Sequence, residues 1–205
     1  MIGCETDDID VEGNGMVRRR LAKLGATAAL SAAAVAALPT AAHAEERTCR
    51  GSLGARTVDN LRVPRGATCR LAGTYVKGTI KVQRGATLVA RRVRVVGNVQ
   101  AEGARNVVVE RRSRVGGSIQ VKQGRRATVR WTRVIGDIQY DHDRGYLRAN
   151  RNRVGGSIQV IGNSGGAQIY RNVVNGNLQC KENRPRPTGG GNVVGGNKED
   201  QCRSF

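Results

Sequence analysis

The chain has 205 residues and carries 35 Lys and Arg against 16 Asp and Glu, a net charge of +19. That length leaves no room for two sizeable domains. Aromatic residues are only 3% of the total, which argues against a surface built on base or sugar stacking.

Residues 1–15 are acidic and precede Met16, so they read as an upstream extension. Residues 16–44 read as a secretory signal peptide: Arg18-Arg19-Arg20 and Lys23, an apolar run from Leu24 to Leu38, and the small-x-small site Ala42-His43-Ala44. The run has 15 residues, short of the roughly 20 that a spanning helix needs. An ordinary basic leader is preferred over twin-arginine export. The 161 residues from Glu45 onward carry 31 Lys and Arg against 11 Asp and Glu, a net charge of +20.

From Asn60 onward one short pattern recurs: Asn60-Leu-Arg-Val63, Gly78-Thr-Ile-Lys-Val82, Gly97-Asn-Val-Gln100, Gly117-Ser-Ile-Gln-Val121, Gly136-Asp-Ile-Gln-Tyr140, Gly156-Ser-Ile-Gln-Val160 and Gly176-Asn-Leu-Gln-Cys180. Successive glycines lie 19 or 20 residues apart, and Gly196-Asn197 begins an eighth copy. A fixed period in this range means stacked units, none of which can bury a core alone.

Aligned on the glycine, Ile80, Val99, Ile119, Ile138, Ile158 and Leu178 fill one column, and Val82, Ala101, Val121, Tyr140, Val160 and Cys180 another. The residue between is Lys81 or a glutamine. Alternation sends the two apolar columns inward and Gln100, Gln120, Gln139, Gln159 and Gln179 outward. Val76, Val95, Val115, Val134, Val154, Val174 and Val194 supply a second strand, and runs such as Ala86–Ala90 and Val107–Glu110 a third. Three strands per roughly 20 residues predict an all-β, single parallel β-helix of about seven coils. At the usual strand spacing seven coils make a rod of roughly 34 Å. A leucine-rich repeat would need more leucines and a helical segment. The expected organisation is an N-terminal cap at 45–58, coils at 59–180, and a loop with a C-terminal cap at 181–205.

Asn152, Asn172 and Asn192 share one column, which Thr132 and Ser113 extend. Stacked amides that satisfy turn backbone groups are the favoured account, ahead of a ligand site. Four cysteines lie after the leader, near the two ends. The pairs Cys49–Cys69 and Cys180–Cys202 are expected, because each closes a loop of about one coil. No Cys-x-x-Cys motif is present and His142 is the one histidine after the leader, so neither a metal nor a cofactor is expected.

The ending Pro187-Thr-Gly-Gly-Gly-Asn-Val-Val-Gly-Gly-Asn-Lys-Glu-Asp-Gln-Cys202, with an alanine-rich leader and Gly-Asn-Val repeats, resembles small secreted right-handed β-helix proteins of high-GC Gram-positive bacteria. That family has no established activity, so the resemblance implies fold, handedness and an extracellular location, and no catalytic residues. Connection preferences point to the same handedness. The coil pattern is more loosely similar to bactofilins, which are cytoplasmic, polymer-forming β-helices.

Arg94, Arg114, Arg133 and Arg153 stand three residues before the glycines; Arg92, Arg112, Trp131, Arg151 and Arg171 stand five before. Both offsets point outward if the local strand is regular, which predicts two arginine columns on one face. Like charges at strand spacing repel by about 0.9 kcal/mol per pair even in water. An anionic polymer would relieve that repulsion and release counterions. The leading expectation is therefore a secreted, non-catalytic protein that binds anionic wall polymer, acidic polysaccharide or extracellular nucleic acid through this face. A structural or self-assembling surface protein is the alternative. A polysaccharide lyase or hydrolase is the second alternative; its one dense candidate is Tyr140-Asp141-His142-Asp143-Arg144, more simply read as a polar turn.

Overall fold

Apolar residues at alternate positions of short runs, repeated once per turn of chain, can be hidden only if each run lies over the last. The computed structural model describes residues 45–205 and has that arrangement. The expected extension at 1–15 and signal peptide at 16–44 lie outside the described residues. Each turn of the chain gives one strand to each of three sheets, and every strand pair is parallel. The protein is an all-β parallel solenoid of about eight turns.

Sheet 1 has nine strands, among them Ile80–Val82, Val99–Glu102, Ile119–Lys122, Ile138–Asp141, Ile158–Ile161 and Leu178–Lys181. Sheet 2 has eight, including Thr87–Arg91, Asn106–Glu110, Arg126–Arg130 and Leu147–Asn150. Sheet 3 has eight strands of two residues each, including Arg94–Val95, Arg114–Val115, Arg133–Val134 and Arg153–Val154. The segments read as end caps continue the stack. Glu46–Thr48, Gly51–Leu53 and Thr57–Val58 begin the three sheets, and Thr188–Gly190, Val193–Val194 and Lys198–Asp200 end them. The Pro- and Gly-rich stretch after Lys181 is thus one more passage between sheets 1 and 2.

Ile119 pairs in register with Ile138, and Ile138 with Ile158. With Leu61, Ile80, Val99 and Leu178 they form one interior file fully removed from solvent. Burial of each such side chain stabilises by roughly 1.5–3 kcal/mol. Val63, Val121, Tyr140, Val160 and Cys180 line the second file of the same sheet. The Tyr140 hydroxyl donates to the Arg148 carbonyl at 2.7 Å, which satisfies its polar tip inside the core. Burial raises its pKa above the ordinary tyrosine value.

At the corners the chain leaves one sheet for the next, and side chains replace part of the backbone ladder. Between sheets 2 and 3 the expected amide column is buried. Asn152 N–H donates to Asn172 Oδ1 and Asn172 N–H to Asn192 Oδ1, both at 3.0 Å. Each Nδ2 donates to a carbonyl of the preceding turn, as Asn172 does to Ala149 at 2.6 Å. A second ladder, Asp143–Asn163–Asn183–Gln201, fills the corner between sheets 1 and 2. A third climbs the remaining corner through Asn60, Thr79, Asn98, Ser118, Asp137, Ser157 and Asn177, each taking the next turn's N–H.

Both expected disulfides form, Cys49–Cys69 and Cys180–Cys202. The second ties down the last turn, where Phe205 packs over Gly189. A side chain at Gly189 would collide with the Phe205 ring and the Ile169 carbonyl. The double variant Cys180→Ser/Cys202→Ser is expected to lose about 3 kcal/mol from this end of the stack. Amide exchange of residues 196–205 would then rise while that of the central turns stays protected.

Candidate anion-binding face

Sheet 3 carries one outward position per two-residue strand, and arginine fills it on four successive turns. Arg94, Arg114, Arg133 and Arg153 are in strict parallel register and all are exposed. Tyr75 precedes them in the column, and the Arg94 guanidinium carbon lies 5.4 Å from its ring centre. This column is as the sequence predicts.

The second column reaches solvent by a different route. Arg92, Arg112, Trp131, Arg151 and Arg171 are exposed, but they sit on the corner before sheet 3 rather than on a regular strand. Their φ angles are 51°, 63°, 53°, 56° and 54°. That is the left-handed region, where a side chain is unfavourable and glycine is at home. Gly73 and Gly191 hold the same corner at its two ends, with φ of 70° and 66°. Side-chain direction is therefore set by a turn that recurs on every coil. The Arg151 guanidinium carbon lies 4.7 Å from the Trp131 ring centre, a cation–π contact worth about 0.5–1 kcal/mol at an exposed site.

Among the described residues, none of these eight arginines forms an ion pair with a carboxylate. Glu110, the nearest acid in sequence to the corner, is already committed. It is buried and takes Arg91 Nε at 2.9 Å and Arg130 Nη2 at 2.7 Å. Burial pushes its pKa up, but the hydrogen bonds and charges of Arg130 and Arg91 outweigh this and leave it below the usual carboxylate range. Glu110→Ala is expected to cost about 1–2 kcal/mol in urea unfolding, because truncation empties a buried site and removes two charge-assisted hydrogen bonds, while water can solvate the exposed guanidinium groups of Arg91 and Arg130. It should leave the exposed columns in place.

One further feature of the face carries no recognisable signal in single residues. Val96 and Ile135 flank the arginine column and are exposed, with Gly116 between them on the intervening turn. Together with Arg94, Arg114 and Arg133 they line a notch of about 270 Å³. Trp131 and Tyr75 also belong to the columns, so two of the few aromatic side chains stand among the arginines.

The other candidates separate. In the 140–144 segment Tyr140 is in the core and Asp143 is fully buried. Asp141 is half-exposed and hydrogen-bonded to the exposed His142 ring. The two carboxyls thus face opposite sides of the wall and cannot flank one substrate bond. The glutamine column lies outside sheet 1 beside a groove of about 670 Å³ that also includes Lys81 and Lys122. Gln120 Nε2 donates to Gln139 Oε1 at 3.0 Å, as stacked amides do. Among the described residues no group of three or more His, Cys, Asp or Glu could hold a metal ion, and no helix is long and apolar enough to cross a membrane. No family model matches the chain, and neither a curated protein nor a solved structure does.

Proposed function

We propose that the mature chain is a secreted, non-catalytic β-solenoid that binds an anionic polymer of the cell surface or its surroundings through the two arginine columns. The observation that carries this reading is the backbone conformation of the second column. Arginine is kept at four corners where glycine would be easier, and is stacked beside other arginines without a counter-charge. Stability opposes both choices, so a partner outside the chain is the better account of them. Arginine pairs bidentately with phosphate and carboxylate alike.

The disulfides fit an oxidising compartment, and the leader-like residues 16–44 fit export. The resemblance to secreted β-helix proteins of high-GC Gram-positive bacteria points the same way. The columns repeat at the strand spacing of about 4.8 Å. Each strand of duplex DNA advances its phosphates by about 3.4 Å along the helix axis while winding them away from any one straight line. A flexible single-chain polyanion can match the arginine period, whereas a stiff duplex cannot, which favours wall polymer or acidic polysaccharide over double-stranded nucleic acid.

Binding of residues 45–205 to polyphosphate, to a uronate polysaccharide and to duplex DNA, titrated with salt, tests the proposal. Affinity for the flexible polymers should fall log-linearly with salt, and Arg94→Gln/Arg114→Gln/Arg133→Gln/Arg153→Gln should flatten the slope by about 3. No binding at low salt, or an unchanged slope in the variant, refutes the assignment.

A further inference from the structure

We propose that the notch formed by Val96, Gly116 and Ile135 beside Arg94, Arg114 and Arg133 is a subsite for one acidic sugar residue, a hexose ring bearing a carboxylate or sulfate. This rests on the arginine-face reading and narrows it from polyanions in general to polysaccharide.

The argument starts from one outward column. The position before each repeat glycine is occupied by Lys77, Val96, Gly116, Ile135, Gly155, Asn175 and Gly195 on successive turns. On three of the turns glycine is forced by crowding: a side chain at Gly116, Gly155 or Gly195 would run into the carbonyl of Val96, Ile135 or Asn175 respectively. Where a side chain does fit, the ends of the rod carry the polar Lys77 and Asn175. The middle carries Val96 and Ile135, 48% and 53% exposed. Neither contributes to the core, which their inward neighbours Val95 and Val134 fill. Val173 and Val193 extend the arginine column itself toward the C-terminal end, so exposed aliphatic groups are not confined to the notch; beside Arg94, Arg114 and Arg133, however, Val96 and Ile135 offer apolar surface next to charge, which suits a partner that has both.

Their spacing defines that partner. Val96 and Ile135 are two turns apart, about 10 Å along the rod, with bare Gly116 as the floor between them. The space of about 270 Å³ is the size of a single ring, far short of a helix or a protein side. Arg94, Arg114 and Arg133 stand along one side of it in register. The ligand must therefore present apolar ring faces to the valine and isoleucine and an anionic group, two or three bonds away, to a guanidinium. A pyranose with a carboxylate or sulfate has that layout. A glycerol-phosphate or polyphosphate chain has the charge without the ring. The walls are aliphatic, so neither a nucleobase nor a sugar ring can stack on an aromatic face here; the ring contact is van der Waals packing, with the ligand held by its charge.

The test compares Val96→Asn/Ile135→Asn with the parent chain, using oligogalacturonate, linear polyphosphate of equal charge, and oligodeoxythymidylate as probes. Asn175 holds the same column, so asparagine is compatible with the turn, and Ile135→Asn alone serves as a milder variant. The double variant should bind oligogalacturonate 5- to 20-fold more weakly and polyphosphate within twofold of the parent. Unchanged oligogalacturonate binding overturns the subsite. So does an equal loss on polyphosphate or on oligodeoxythymidylate. Arg114→Gln distinguishes the two levels: if it weakens all three probes while the asparagine variants do nothing, the arginine face stands and the sugar subsite falls. If the parent binds no probe at low salt, both fall.

Discussion

The variant Arg92→Gly/Arg112→Gly/Arg151→Gly/Arg171→Gly is expected to melt higher than the parent chain and to bind polyanions about 100-fold more weakly. Each substitution places glycine in a left-handed corner already adopted, removing strain of about 1 kcal/mol or more. Glycine returns roughly 0.5 kcal/mol of that as added freedom of the unfolded chain. Loss of the Arg151 contact with Trp131 returns a little more. Relief of like-charge repulsion between successive turns works in the opposite direction. The sum is a gain of about 2 kcal/mol, or a melting temperature up by about 5 °C for a chain of this size. On the binding side, four exposed charge contacts at about 0.7 kcal/mol each make up the 100-fold. A melting temperature that falls would show that the corner arginines were kept for the fold. Unchanged binding would show that the corner column is no part of the site.

The other left-handed corner shows what happens without that demand. Between sheets 1 and 2 the equivalent positions are Gly103, Gln123, His142, Gly162 and Glu182, with φ from 52° to 65°. Glycine, acid, amide and imidazole alternate there with no single character. Arginine is present at that corner too: Arg105, Arg125, Arg144 and Arg184 stand two residues after four of these positions, exposed, the first three stacked turn over turn. What sets the corner adjoining sheet 3 apart is that its arginines occupy the left-handed position itself and adjoin a second arginine column on the sheet.

Much of this was legible in the residues because a solenoid repeats its environment. A position that recurs every 19 or 20 residues meets the same neighbours each time, so the inward files of Ile119, Ile138 and Ile158 and the outward file of Arg94, Arg114, Arg133 and Arg153 declare themselves by alternation. The asparagine ladder at 152, 172 and 192 was visible because one residue type fills it. The ladder through Asp143, Asn163, Asn183 and Gln201 was not, because it changes residue type at both ends and its last step is two residues short. The third ladder was hidden by its use of Asn, Thr, Ser and Asp in turn, all of which offer an oxygen at the same reach. The left-handed corner was missed for a related reason. Arginine gives no sign of a positive φ, and the one clue was that Gly73 and Gly191 fall in the same column. The notch needed three dimensions, since Val96 and Ile135 are 39 residues apart and Gly116 matters only as empty space.

Asp143→Asn is expected to make the protein markedly more stable at pH 8 while leaving it nearly unchanged at pH 4. Asp143 occupies an amide position. Its Oδ1 takes the Gly124 N–H at 2.6 Å, as the amide oxygens of Asn163 and Asn183 take theirs. In those residues Nδ2 donates to the carbonyls of Tyr140 and Val160 on the turn before. The matching atom of Asp143 is Oδ2, which is buried without a partner. The carbonyl that corresponds in register belongs to Val121. A protonated Oδ2 can donate to such a carbonyl; a carboxylate can only repel it. Burial therefore lifts the Asp143 pKa to about 7, Asp141 adds to the rise, and the Gly124 N–H and the neighbouring His142 oppose it. The folded chain thus holds a proton that the unfolded chain releases near the ordinary value of 3.8. Stability from this group is complete below that value and drains away as pH rises, by about 1.4 kcal/mol per unit, until it is spent near pH 7. The full span is on the order of 4 kcal/mol. Asparagine carries the donor at every pH, so the variant should show no such decline. Urea midpoints measured for both proteins from pH 4 to 8 should diverge as pH rises to about 7 and keep a constant separation above it. Parallel curves would mean that Asp143 folds as a carboxylate and that its ladder position is held some other way.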